Sequence, residues 1–324
     1  MIVSRQDSQQ LAIPNGYALL NDRVMARISG PGTDKFVQGQ FTQHVDEITQ
    51  EQSLRAAACT HKGRAYCLTR LVRDGDDLLM DFDATRAEAT IAHLKKYLML
   101  FRGTSLETLP AKRIIGLLGE ASAISVAGED ARALTEPGQT LKVGDSHLIR
   151  IENTADGTAR YEWWQSADEL PMPDGIAELS LEQWLASSIS AGVPWLTEAT
   201  QEAYVPQMMN LQHLQGVHFK KGCYTGQEVI ARMHFLGQLK KSLFRLSFTN
   251  TPQAPAAGSK LLAGEKSVGE VVNALMTGEQ EGEMLAVIRH DASTETLSLE
   301  GMPEAGIKLE QLPYAVPEQQ PSDT

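Results

Sequence analysis

Hydrophobic and polar positions alternate in the first third of the chain, which is the pattern of strands with one buried face. Residues 17–20 and 24–28 form a first pair of such runs around a short polar turn. Residues 54–59 and 66–73 form a second pair, and residues 78–82 follow another turn. The alternation therefore predicts a series of short strands before residue 83.

Apolar residues spaced three and four positions apart predict helices between the strands. Thr33 and Asp83 are placed to cap two of these helices, and Ser180 with Gln183 forms a capping box in front of a third. A further short helix is expected over residues 129–135. Because strands and helices mix without a regular strand–helix–strand alternation, we expect an α+β fold.

The last third of the chain has a different pattern. After Gly237, short alternating runs recur at residues 244–248, 268–275, 284–288 and 296–299, with turn residues between them. Such a series is typical of a small antiparallel barrel or sandwich. Before it, residues 195–219 show weak periodicity and predict a long loop, a kind of segment that often carries function.

Charge and cysteine content narrow the functional classes. The 324 residues include 29 Lys and Arg against 41 Asp and Glu, a net charge of −12, so we expect weak binding to nucleic acid or anionic membranes. No apolar run is long enough to span a membrane and no signal-peptide core is present, so we expect a cytoplasmic protein without a membrane partner. The three cysteines do not have the spacing of a structural zinc site, and no metal is expected.

The most unusual segment surrounds Cys223, which lies between Gly222 and Gly226 and follows Lys220 and Lys221. Glycines permit tight turns and close approach of a ligand, and neighbouring ammonium groups favour the thiolate. The cysteine could therefore act as a nucleophile, a redox centre or a soft-metal ligand. The alternative is a small side chain packed in a turn, which is what we expect of Cys59 and Cys67 in their strands.

Two further features fit a binding site near this segment. Residues 218–245 carry six basic residues against one acidic residue, a formal charge of +5, which indicates either a solvated face or a local anion site. Trp184 lies towards the edge of the capped helix. It either fills part of the core or forms a flat wall for an aromatic heterocycle.

The octapeptide Lys-Gly-Cys-Tyr-Thr-Gly-Gln-Glu at residues 221–228 resembles the signature of the YgfZ-type folate-binding proteins. Segments 38–40, 183–186 and 206–211 also fit that family's pattern, so the resemblance covers nearly the whole chain. The family in turn resembles the aminomethyltransferase (T-protein) of the glycine cleavage system.

This resemblance implies a T-protein-like arrangement of three domains, two of them interleaved. A discontinuous folate-binding α+β domain would comprise residues 1–42 and 110–236, with a ferredoxin-like α+β domain inserted at residues 43–109. A C-terminal antiparallel β-barrel would follow at residues 237–316, with a disordered tail at residues 317–324.

The resemblance also implies a function and its residues. The family binds tetrahydrofolate or another folate derivative and supports assembly or repair of iron–sulfur enzymes, and thereby tRNA modification by methylthiolation. The implied partners are folate and iron–sulfur client enzymes, and we expect no direct contact with tRNA. Trp184, Lys221 and Tyr224 carry over as folate-binding residues and Cys223 as the functional thiol. The basic residues nearest Cys223, namely Lys220, Lys221 and Arg232, are the expected contacts of the folate glutamate tail.

Two departures from the family pattern bear on activity. An aromatic folate contact of some relatives falls at Arg23, whose guanidinium could also stack on a flat ring. The carboxylate pair of the transferase falls within residues 65–68, which read Ala-Tyr-Cys-Leu, so we expect binding without classical catalysis. The alternatives are a folate-dependent aminomethyl transferase, a folate-independent thiol-redox protein and an enzyme that modifies tRNA directly.

Overall fold

The computed structural model describes residues 15–165, 171–172 and 175–319. Its strands, β1 to β17 in chain order, are Gly16–Leu19, Arg23–Ser29, Leu54–Cys59, Ala65–Asp74, Asp77–Asp83, Ser105–Thr108, Arg113–Leu118, Thr140–Val143, Ser146–Ile151, Arg160–Gln165, Ala177–Glu178, Lys241–Thr249, Lys260–Ala263, Lys266–Met276, Glu281–Arg289, Leu297–Leu299 and Gly306–Glu310. The α-helices, α1 to α5, are Thr33–Gln40, Ala87–Leu98, Glu120–Ala127, Leu181–Ser190 and Gln227–Phe235. Short 3-10 helices cover Val45–Glu47, Gly128–Ala133, Pro206–Met209, His290–Ala292 and Pro317–Gln319.

The strands before residue 180 form two sheets. Sheet I has the order β11-β1-β7-β10-β9-β8 and is antiparallel except for the parallel pair β1–β11. Sheet II has the order β3-β4-β5-β2-β6 and is antiparallel throughout. This mixture of antiparallel sheets and few helices confirms the predicted α+β class.

The two sheets pack face to face, and the alternation of side chains along each strand decides what lies between them. On β5, Leu78 and Met80 point to the face of sheet II that is covered by α1 and α2. Leu79 points the other way and packs with Ile149 and Trp164 of sheet I. The helices thus cover one face of sheet II, and sheet I covers the other.

The C-terminal strands form the predicted antiparallel barrel-like sheet, with the order β16-β13-β14-β15-β12-β17. Its edge strands β16 and β17 approach each other, so the sheet is nearly closed. Phe248, Val271 and Ile288 are among the fully buried residues of its core.

Several local predictions can be compared with these elements. The capping box is confirmed, because Ser180 Oγ accepts from the Gln183 amide at 3.2 Å and the Gln183 side chain accepts from the Ser180 amide at 2.8 Å. Thr33 is instead the first residue of α1, and Asp83 caps the turn that leads into α2 by accepting from the amide of Arg86. Helix α3 was not predicted, because its small residues give a weak periodic signal.

The sheet pairing differs from the predicted domain boundaries. Strand β2 pairs with β5 and β6 in sheet II, although a boundary at residue 42 assigned it to the first domain. The predicted disorder is wrong for Pro317–Gln319, because Gln319 Nε2 donates to Ser242 Oγ at 2.7 Å. Residues 320–324, like residues 1–14, lie outside the described residues. The division into domains itself stays a prediction.

The long loop predicted over residues 195–219 is present, and Asn210 fastens it to the barrel. Asn210 is fully buried and left-handed, with φ of 58°. Its Nδ2 donates to the Leu243 carbonyl at 2.9 Å, and its Oδ1 accepts from the Leu243 amide at 3.2 Å. Asparagine tolerates this backbone conformation better than most residues, so one side chain supplies both the turn and the attachment.

We predict that Asn210→Ala lowers the free energy of unfolding by about 2–4 kcal/mol, through lost buried hydrogen bonds and a strained left-handed alanine. Chemical denaturation measures this directly. Gln215→Ala is the matched control, since Gln215 is also left-handed (φ 53°) but exposed, and we expect it to change stability by less than about 0.5 kcal/mol. Equal effects of the two substitutions would show that the Asn210 side chain does not fasten the loop.

Candidate functional site

A cavity lies between sheets I and II and is closed on one side by α4 and the loop that follows it. Its lining includes five arginines, four carboxylates and two tryptophans. These are Arg23, Arg55, Arg70, Arg86, Arg160, Asp22, Asp81, Asp83, Glu162, Trp184 and Trp195. Apolar residues, Leu68 and Leu185 among them, complete the walls.

The polar lining follows from strand alternation. Asp81 and Asp83 of β5 point to the same face as Leu79, towards sheet I, while Met80 and Phe82 point to the helices. Arg160 and Glu162 of β10 face them from sheet I. The charged side chains of two sheets therefore meet in the interior instead of facing solvent.

Trp184 is placed by the capped helix α4 and is only 3% exposed. Its ring packs on Gly116 of β7, where an added Cβ would lie 2.4 Å from a ring carbon, so only glycine fits. The Arg160 guanidinium carbon lies 4.5 Å from the ring centroid, a cation–π contact. Trp184 thus forms part of the cavity wall together with the arginine stacked on it.

Ion pairs connect the two sheets beside this wall. Arg23 of sheet II reaches Asp81 and, across the interface, Glu162 of sheet I, each at 2.9 Å. Arg55 holds Glu152, which follows β9, through two contacts at 2.9 and 2.5 Å. Arg23, which falls where relatives offer an aromatic, is therefore already engaged with two carboxylates.

These pairs change the acidity of the buried carboxyl groups. Burial alone would raise the pKa of Glu152, but attraction to Arg55 outweighs it and lowers the pKa to about 2. The same competition, with Arg23 as the main attracting charge, lowers the pKa of Glu162 to about 2. Both groups are held ionised and hydrogen-bonded, so they are weak proton acceptors near neutral pH.

The chemistry of the lining suits a flat heterocycle with polar edges. Trp184 and Trp195 offer apolar surface, the arginines offer donors, and Asp22 offers a buried Oδ1 without a partner among the described residues. The part of the chain that the structure describes contains no cluster of His, Cys, Asp and Glu suited to a metal ion. A folate ring system fits this set of donors, acceptors and apolar walls.

The octapeptide lies at another place in the fold, and Lys221, Cys223 and Tyr224 are not among the described residues that line the cavity. Lys221 is 6% exposed, and its Nζ donates to the backbone oxygens of Gln38 and Phe41 at 2.8 and 2.5 Å. The same Nζ lies 4.7 Å from the centre of the Tyr224 ring. These buried residues fasten the segment to the end of α1, and Cys223 is exposed beside them.

Glycine at position 226 allows this segment to lie close to the β3–β4 turn. Gly226 has φ of 86° and precedes α5, which begins at Gln227. A Cβ there would lie 2.6 Å from the Thr60 carbonyl oxygen and 3.2 Å from the Cβ of Cys59. The glycine at position 226 of the octapeptide is thus required for close packing, in addition to any chemical role of the segment.

The expected basic surface is divided in the structure. Lys221 is buried, and Arg245 is bound to Glu283 at 2.6 Å. Lys220 and Arg232 are exposed and, like Lys221, do not appear among the described residues that line the cavity. Apart from Arg23, the arginines of the cavity were missed because strand alternation alone cannot distinguish a solvent face from a polar interface between sheets. The available signal in the sequence was the presence of two opposite charges, Arg160 and Glu162, two positions apart on β10.

The buried Lys221 predicts a measurable pH dependence. Burial lowers its pKa to about 7, whereas the unfolded chain titrates near the usual 10.5. Between these values the unfolded state binds the extra proton, so this group makes the free energy of unfolding rise with pH, by up to about 1 kcal/mol per pH unit. We expect Lys221→Met to abolish that contribution between pH 7 and 9, measured by urea denaturation. Lys220→Met, which alters the exposed neighbour, should follow the wild-type profile, and a Lys221→Met profile parallel to wild type would contradict the assignment.

Several known proteins are similar to this chain in sequence or in fold. No family model matches the chain. The chain is 31% identical over 331 aligned residues to the tRNA-modifying protein YgfZ of Escherichia coli O7:K1 (strain IAI39), covering 97% of this chain and 98% of that protein. The corresponding protein of E. coli strain SMS-3-5 gives the same identity and coverage.

Among solved structures, the glycine cleavage system aminomethyltransferase T from Bartonella henselae matches with a TM-score of 0.68. The sequence identity is 14%, and the match covers 95% of this chain and 87% of that one, so it shows a shared fold. The T-protein-like fold predicted from the sequence is thereby confirmed. With curated relatives above 30% identity across almost its full length, the chain belongs to the YgfZ family.

Proposed function

We propose that this protein is a folate-binding accessory protein that supports tRNA modification by maintaining iron–sulfur enzymes. The observation that carries the proposal is the cavity between the two sheets, which combines Trp184, donors and acceptors in a YgfZ-family chain. The name of its relatives, tRNA-modifying protein, supports the wider role. The described part of the chain has no helix of the length and hydrophobicity that a membrane span needs.

Several residues would hold a reduced folate. The Trp184–Arg160 stack and Trp195 would contact the flat rings, and the free Oδ1 of Asp22 would accept a hydrogen bond from a ring nitrogen. Burial of these groups excludes water and strengthens each polar contact. When bound, a folate supplies a carrier for one-carbon groups.

The same cavity favours binding over one-carbon transfer. Leu68 lines it within the segment where the resemblance places the carboxylate pair of the transferase. Two of the four carboxylates in the lining, Asp81 and Glu162, are held by Arg23, and the pKa of Glu162 is lowered to about 2. A proton acceptor works best when its pKa lies near the working pH, so these groups are poorly matched to transferase chemistry.

We assign the second functional element to Cys223. It is exposed, whereas Cys59 and Cys67 are 1% and 6% exposed and burial raises the pKa of both thiols. Three thiols are fewer than the four that usually hold a cubane cluster, and two of them are buried. The proposal is therefore that Cys223 ligates or repairs a cluster of a client enzyme and that this chain holds none permanently.

We predict that Trp184→Ala weakens tetrahydrofolate binding by about 1–2 kcal/mol, because the cavity loses its aromatic wall. Isothermal titration calorimetry measures the loss, and Trp184→Phe should lie between Trp184→Ala and the wild type. Trp163→Phe is the control, since Trp163 is equally buried but packs on the opposite face of sheet I. Wild-type affinity in both Trp184 variants, confirmed to be folded by circular dichroism, would remove Trp184 from the site.

We predict that iodoacetamide near neutral pH alkylates Cys223 at least about tenfold faster than Cys59 or Cys67, because access and thiolate content control the rate. Peptide mass spectrometry after timed quenching gives the three rates. Comparable rates would mean that Cys223 is as protected as the two strand cysteines.

The role in the cell is tested by complementing a deletion strain and measuring tRNA methylthiolation with iron–sulfur enzyme activities. We expect Cys223→Ala and Trp184→Ala to reduce both readouts. Lys240→Ala, an exposed substitution in the same basic segment, should complement fully. Full complementation by Cys223→Ala would overturn the role proposed for the thiol.

A further inference from the structure

The carboxylates at the sheet interface, Asp81, Glu152 and Glu162, accept hydrogen bonds from the guanidinium groups of only two neighbouring arginines. Arg23 binds Asp81 and Glu162, each at 2.9 Å. Arg55 binds both oxygens of Glu152. These contacts engage all three carboxylates at hydrogen-bond distance without the guanidinium groups of Arg70 or Arg160, although the Arg70 backbone amide also donates to Asp81 at 2.7 Å.

Arg70 has hydrogen-bonding capacity left over. It is 3% exposed, and its Nη1 donates to Ser53 Oγ at 3.2 Å. Its Nε and Nη2 lie 3.8 Å from Glu162 and 3.9 Å from Glu152, which is too far for a hydrogen bond. Both nitrogens are buried and have no partner among the described residues.

Arg160 has no carboxylate at hydrogen-bond distance among the described residues. It is 1% exposed, and its guanidinium donates to Ser188 Oγ at 2.6 Å and to the Glu152 backbone oxygen at 3.4 Å. Its Nε has no partner in the described structure. Burial lowers the pKa of Arg160 to about 9, the result of removing a charge from water without a close counter-ion.

The other charges that line the cavity do not compensate these two groups. Arg86 pairs with Asp83 at 3.4 Å and donates to backbone carbonyls of the loop after α4. Asp22 adjoins Arg23 in sequence, and burial raises its pKa against the opposing charge of Arg23, which favours the neutral carboxyl group. With Asp22 left aside for this reason, the cluster around Glu152 and Glu162 contains four guanidinium groups and three carboxylates, namely those of Arg23, Arg55, Arg70, Arg160, Asp81, Glu152 and Glu162.

We infer that Arg70 and Arg160 form a subsite for a monocarboxylate inside the cavity. A buried guanidinium with no carboxylate at hydrogen-bond distance is unfavourable, and its planar fork matches a carboxylate with two parallel hydrogen bonds. One surplus positive charge matches a single carboxylate better than a doubly charged phosphate. This inference rests on the proposed function, because the subsite lies in the cavity assigned to folate, and it places anion recognition there instead of at Lys220, Lys221 and Arg232.

The carboxylate could come from two sources that share this chemistry. One source is the glutamate of the bound folate itself. The other is a small carboxylic acid bound beside the folate. Tetrahydrofolate, tetrahydropteroate, which lacks the glutamate, and sodium acetate at constant ionic strength distinguish them.

The test uses the full chain with Arg70→Gln and Arg160→Gln, which keep polarity and remove the charge. Arg86→Gln is the matched control, because it removes an arginine of the lining that already has its own carboxylate and carbonyl partners. Arg160→Lys replaces Arg160→Gln if the latter does not fold. Calorimetry gives the affinities for the two pterin ligands, and the melting temperature in acetate against chloride reports the small acid.

If the glutamate is the source, wild type binds tetrahydrofolate at least about tenfold more tightly than tetrahydropteroate, and Arg70→Gln and Arg160→Gln remove that preference while Arg86→Gln keeps it. If a free acid is the source, the two ligands bind alike, and acetate raises the melting temperature of wild type but of neither subsite variant.

Three results separate the inference from the proposed function. Tetrahydrofolate binding without a glutamate preference or an acetate response overturns the subsite and leaves the folate proposal in place. An acetate response lost in both variants, without tetrahydrofolate binding by wild type, supports the subsite and overturns the folate proposal. Losses in Arg86→Gln as large as those in the subsite variants show a general disturbance of the cavity and overturn the inference.

Discussion

The buried ion pairs between the two sheets are the constraint on which the rest of the site depends. Arg23 and Arg55 extend from sheet II to Glu162 and Glu152 of sheet I, and this contact sets how the sheet faces meet. Burying these charges is unfavourable unless each is paired, so the removal of one partner should cost about 3–5 kcal/mol. An apolar interface could close completely, whereas this one surrounds a polar cavity.

The interface supports the proposal of a protein that binds folate without classical catalysis. The carboxylates of Glu152 and Glu162 are ionised and engaged, and Leu68 lies in the segment where a transferase resemblance would place acids. The exposed thiol belongs to a different part of the fold, fastened by Lys221 to the end of α1. The ligand cavity and the thiol of the proposal thus belong to separate elements of one chain.

The sequence predicted the elements with strong local signals. The capping box of α4, the antiparallel C-terminal sheet and the loop before it are set by residues close in sequence, so periodicity and turn residues suffice to find them. The pairing of β2 with β5 and β6 depends on contacts far along the chain, so the local pattern did not predict it. Local pattern contains no information on which sheet a strand joins.

The site shows the same limit. Trp184 was predicted as a candidate wall and lines the cavity, whereas Lys221 and Tyr224 are not among the described residues that line it and contact each other elsewhere in the fold. Arg70 and Arg160 occupy alternate strand positions that would also suit an exposed face, so only the packing of two sheets reveals them as buried. A charge on a strand becomes informative once the opposite sheet is known.

The central claim is that this cavity binds reduced folate and does not transfer a one-carbon unit. The most direct measurement follows tetrahydrofolate binding and methylenetetrahydrofolate formation in one sample that contains the protein and a methylamine donor. We predict saturable binding with no product above the protein-free rate. Product formation that scales with protein concentration, or the absence of saturable binding, would contradict the account.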